Sequence, residues 1–101
     1  MAKTLKEEAR CFLAQVPDEY AFWCQDGRIL KDMKELANVL NTMSDETFAY
    51  HCNKEKKDFA NWVRAIIGDE ALAKDLEKAT TRAQAAKYVI SRVSLLSKRL
   101  A

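Results

Sequence analysis

A chain of 101 residues with 49% apolar content suits one domain with a modest core, spanning residues 1–101, and leaves no room for a second. Only two glycines and one proline appear, which disfavours turn-rich all-β, collagen-like and disordered classes. The predicted fold class is therefore all-α: a compact bundle of five or six short helices with a longer, basic C-terminal helix. Net charge is +2, but six basic residues and no acid lie between Lys78 and Ala101, leaving eleven basic against fifteen acidic residues, a net of −4, in residues 1–77. A basic tail on an acidic body suits nucleic acid, an acidic partner or a second copy of the same body.

Three cysteines at irregular spacing do not form a disulfide framework, so reduced thiols in a cytoplasmic protein are the simplest account. The N-terminal MAKTLKEEAR is charged and is followed by no apolar run of signal-peptide or membrane-span length, so no membrane association is expected.

Thr4 with Glu7 reads as a capping box, and Leu5, Ala9, Phe12, Leu13 and Val16 recur at helical spacing until Pro17 closes the segment, predicting a first helix over roughly residues 5–15. The stretch YAFWCQDGRIL carries strand-favouring aromatics before Asp26-Gly27, a pair suited to a tight turn, and predicts a small hairpin or an extended arm near residues 20–30. Asp32 and Glu35 form a second candidate capping box for a helix with Met33, Leu36, Ala37, Leu40 and Met43 on one face. Ser44 caps a third helix that ends near Asn53, and Asp58 is the expected cap of a fourth whose inward residues are Phe59, Trp62, Val63 and Ile66. Gly68 ends that helix. Asp69 caps a fifth with Leu72, Ala73 and Leu76, and Thr80 or Thr81 starts the last, over about residues 81–100.

In that last helix Ala86, Val89, Val93, Leu96 and Leu100 are spaced alternately three and four apart. Such a seam serves either the chain's own bundle or a helix of another chain, which makes it a candidate surface for self-association or docking.

The stretch FAYHCNKEKKDFANWVR holds the only histidine, a tryptophan, a cysteine and a basic run. Its structural reading is a helical corner: His51 in the last turn of the third helix, where a protonated imidazole complements the dipole, bonds Asp58 or the loop, and Phe59 and Trp62 anchor the corner. The catalytic reading pairs His51 with Asp58 as acid and base, but no strained nucleophile turn or glycine-rich phosphate loop accompanies them. Catalysis is not the expected role. Cys11, Cys24, His51 and Cys52 have zinc-ligand chemistry without the spacing of a knuckle or finger, so no metal and no cofactor is expected. For nucleic acid, the candidate phosphate contacts are Lys54, Lys56, Lys57, Arg64, Arg82, Lys87, Arg92, Lys98 and Arg99.

Phe22 with Asp26-Gly27, Leu36 to Leu40, Tyr50-His51, the Asp58-Phe59-Ala60-Asn61-Trp62-Val63 block, and Gly68-Asp69-Glu70 with Leu72 and Leu76 also carry a resemblance. Together they resemble an uncharacterised family of small prokaryotic helical domains whose hallmark is Tyr-His, then Asp-Phe-Ala-x-Trp-Val, then Gly-Asp/Glu-x-x-Leu. The resemblance spans about residues 20–77, implies one domain and, since no activity is assigned to the family, implies no mechanism. The reading that follows is a protein-interaction module, a partner or itself docking through the C-terminal helix, with non-specific nucleic-acid binding as the alternative.

Overall fold

Among the described residues, five of the six α-helices start at a side-chain cap. In the computed structural model, which describes residues 4–101, Thr4 accepts from the Glu7 amide and Glu7 reaches back to the Thr4 amide, starting α1 (Leu5–Leu13). The helix stops two residues short of the expected end, and Leu5 at its exposed start lies outside the core. A 3-10 turn at Asp18–Tyr20 leads into a two-stranded antiparallel hairpin, β1 (Phe22–Trp23) and β2 (Ile29–Leu30). Gly27, with φ of 97°, supplies the left-handed residue that the turn requires.

Helix α2 (Met33–Thr42) starts on Asp32, which accepts from the Glu35 amide. The reciprocal half of the expected capping box is displaced by one residue, because the Glu35 carboxylate takes the Lys31 amide at 2.9 Å where β2 hands over to the helix. Ser44 caps α3 (Asp45–His51), two residues shorter than expected. Its end is set by Asn53, whose side chain accepts from the Glu55 and Lys56 amides and donates to the Ala49 carbonyl. Residues 53–57 are thus a closed turn rather than a long loop.

Two expectations fail in the next segment. Asp58 is the first residue of α4 (Asp58–Trp62) rather than its cap, since its carboxylate is drawn sideways to His51. The helix then widens into a π turn over Val63–Ile67, where the amides of Gly68 and Asp69 both bond the Val63 carbonyl. The extra residue in this turn rotates Ile67 into the core and leaves Ile66 half-buried, the reverse of what a regular helical period gives. Gly68, with φ of 91°, terminates the segment as expected.

Asp69 caps α5 (Glu70–Lys78), and Thr81 caps α6 (Arg82–Leu100). The long α6 is the spine of the molecule and packs on α2, α1 and α5. Ala86, Val89 and Leu96 of the proposed seam are buried there, with Val93 and Leu100 half-buried beside them. The seam is therefore filled by the chain's own helices. Among the described residues, no helix is long and apolar enough to cross a membrane.

Candidate functional site

Strand β1 is clamped at both ends by the stretch around His51. At its start, the Trp62 indole N–H donates to the Tyr20 carbonyl at 2.8 Å. Past its end, the Gln25 amide donates to His51 Nε2 at 2.9 Å. Because that nitrogen accepts, His51 stands as the neutral tautomer with its proton on Nδ1, which donates to Asp58 Oδ2 at 3.0 Å. A protonated imidazole, the form that a helix end favours, would have no lone pair for this donor. Gln25 is held a second time through its side-chain carbonyl, which accepts from Thr47 on α3 at 3.3 Å.

Between the two clamps, Phe22 turns inward. Its ring lies 5.0 Å from His51, 5.0 Å from Phe59 and 5.9 Å from Trp62, a cluster that adds offset and edge-on ring contacts to simple burial. Strand alternation then obliges Trp23 to turn outward. It is 72% exposed, and Ile29, its partner across the strands, is 42% exposed. The bond from the Cys24 amide to the Arg28 carbonyl marks the neighbouring pair as the hydrogen-bonded one. Trp23 and Ile29 thus form a non-hydrogen-bonded pair, with side chains close together and backbone amides directed to the outer edges.

Charges around this face cancel locally. Arg28 grips Asp26 through Nε and Nη2 at 3.0 and 2.7 Å, which holds the Asp26 carboxyl down to about 2. Lys31 pairs with Asp18 at 2.6 Å. The hairpin consequently presents an apolar pair beside two internally neutralised ion pairs, with Glu19 of the preceding 3-10 turn outside them.

The other sequence-derived site residues are dispersed. Arg92 binds Asp69, Arg82 binds Asp45 and the Leu40 carbonyl, Arg64 binds Glu70 and Glu77, and Lys56 lies 3.4 Å from Asp58 and 4.1 Å over the Tyr50 ring. These four cations thus brace the fold. Lys54, Lys57, Lys87, Lys98 and Arg99 form no ion pair among the described residues. His51 is 4% exposed with both ring nitrogens engaged, and it lines neither the ≈ 310 Å³ cleft at Val16, Tyr20 and Ile66 nor the ≈ 300 Å³ cleft at Phe48, Cys52 and Arg82. Among the described residues no three His, Cys, Asp or Glu side chains converge to hold a metal ion. Burial pushes the Cys24 and Cys52 thiols up. Trp23, the exposed member of this candidate site, is not singled out by the sequence: a hairpin alternates its faces, but which face turns inward is set here by the distant Trp62 and His51 bonds.

No family model, curated protein or solved structure matches this chain.

Proposed function

We propose that this protein is a non-catalytic protein-interaction module that self-associates through the outer face of its hairpin, with Trp23 as the anchor. The observation that carries the reading is a large aromatic side chain left 72% exposed on a strand clamped at both ends. Tryptophan is enriched among the residues that dominate binding energy, and a pre-ordered strand loses little entropy when it docks. A second copy suits this face because an apolar, locally neutral patch meets its own image without like-charge repulsion. The outward side of α6 also exposes Ile90 and Leu95, but the helix carries cations and no acid, so self-pairing there would bring like charges together.

The test is tryptophan emission over a concentration series. Association should shift Trp23 emission to the blue, whereas Trp23→Phe, which leaves only the buried Trp62, should show no shift. Constant wild-type emission up to high micromolar protein would remove the reading.

A second reading is supported by the cations without ion pairs on α6, a helix with no acidic side chain: non-specific contact with nucleic-acid phosphates. Anisotropy of a labelled duplex and a single strand across a salt series tests it. Binding that weakens steeply with salt, and with Lys87→Gln/Lys98→Gln, would support this reading, and no binding at low salt would dismiss it.

A further inference from the structure

We infer that His51 is a proton-operated latch on the docking hairpin: a proton arriving at Nε2 releases the Gln25 amide and loosens the strand that carries Trp23. Its consequence for association rests on the docking reading above; the latch itself does not. The Gln25 N–H can only donate, so Nε2 must offer a lone pair to bind it. A proton on that nitrogen and the hydrogen bond are mutually exclusive. Acidification therefore draws the equilibrium towards the open turn, because the open form is the one that takes up the proton.

The other ring nitrogen decides which partner lets go. Nδ1 lies 3.0 Å from Asp58, and an imidazolium holds a carboxylate more strongly than a neutral ring does. The ring stays with α4, and the hairpin gives way. The charged and titratable groups around the ring agree with this. From α4 comes Asp58, whose carboxylate is shared with Lys56 of the preceding turn at 3.4 Å. From α3 comes the Tyr50 ring, edge-on at 5.0 Å, with that same lysine over it. The hairpin brings the uncharged Phe22 ring and Gln25, while Asp26 and Arg28 neutralise each other in the turn. Strands of two residues have little stability of their own, and with the Nε2 bond gone the turn end keeps only the side-chain bonds from Thr47 to Gln25 and from Arg28 to Thr42, while the Trp62 bond holds the Tyr20 end.

The experiment titrates the full chain from about pH 7.5 to about pH 5, the range in which imidazole ordinarily changes charge. Imidazole nitrogen shifts, amide exchange and sedimentation mass are read in parallel. As Nε2 gains its proton, protection of the Gln25 amide, corrected for intrinsic exchange, should fall by about tenfold relative to the Leu36 amide, the scale of one lost hydrogen bond. The dimer fraction should fall with it. His51→Gln keeps an acceptor and a donor but cannot titrate, so it should hold Gln25 throughout; if that variant does not fold, the wild-type titration decides. A ring that protonates while Gln25 stays protected overturns the latch, as does a ring that stays neutral down to about pH 5. A monomer at the neutral end removes the docking reading and leaves the latch to be judged on Gln25 alone. A dimer that persists after Gln25 is released overturns the coupling between the two.

Discussion

Asp69, 1% exposed, accepts two hydrogen bonds from the Arg92 guanidinium, at 2.7 Å from Nε and 3.0 Å from Nη2, while its Oδ1 also takes the Leu72 amide that starts α5. One carboxylate therefore caps a helix and ties the basic C-terminal helix to the corner after Gly68. Removing Arg92 leaves that charge buried without its partner. Arg92→Met is expected to destabilise the protein by about 3 kcal/mol, because an uncompensated buried charge costs more than the pair contributes. Chemical denaturation measures this. A change of a few tenths would show that the pair is dispensable.

The two clamps on β1 separate by substitution. Trp62, 7% exposed, fills the aromatic cluster and donates to Tyr20. Trp62→Phe keeps most of the filling and loses the bond, for about 1 kcal/mol. Trp62→Ala also empties the site, for about 3–5 kcal/mol. Equal losses in the two variants would mean that the hydrogen bond, not the packing, fixes the strand.

Acid sensitivity at the turn follows from Arg28, whose hydrogen bonds hold Asp26 down to about 2. A carboxyl depressed in the folded state stabilises it above the unfolded carboxyl range, and that stability fades as pH falls through about 2. The pair sits in a solvent-washed turn, so its contribution stays below about 1 kcal/mol. In Arg28→Ala, a carboxyl titration by NMR should find Asp26 back near its ordinary value. An unmoved titration would assign the depression to the turn backbone instead.

The thiols should react in order of exposure. Cys11 is exposed, Cys52 half-buried and Cys24 buried, with burial raising the latter two. Mass spectrometry after brief alkylation should find Cys11 modified first and Cys24 last, since the thiolate is the reacting species. Early labelling of Cys24 would show that the hairpin opens readily at neutral pH.

Much of this fold was legible because its signals are local. Thr4 with Glu7, Ser44, Asp69, Thr81, Gly68 and Asp26-Gly27 act within three or four residues, and each stands where its chemistry placed it. What escaped depends on partners far along the chain. Asp58, expected both as a cap and as a partner of His51, serves only the second role, and Arg64, Arg82 and Arg92, which resembled a phosphate-binding set in one dimension, found carboxylates 6, 37 and 23 residues away. The π turn broke the 3.6 period between Ile66 and Ile67, where sequence offers no warning. The α6 seam was visible as a seam, but periodicity does not say which helix fills it, and here α1, α2 and α5 do. Outward Trp23 needed the inward direction of Phe22, which the clamps at Tyr20 and Gln25 set.

Sedimentation equilibrium of the wild type beside Trp23→Ser/Ile29→Ser decides whether the outer face of the hairpin is a self-association surface, because neither side chain belongs to the buried core. A self-associating hairpin gives a wild-type dimer and a monomeric double variant that keeps the wild-type helical circular dichroism and a cooperative melt, lowered only by the lost association. A wild-type monomer across the micromolar range, or a double variant that dimerises as well as its parent, would contradict it.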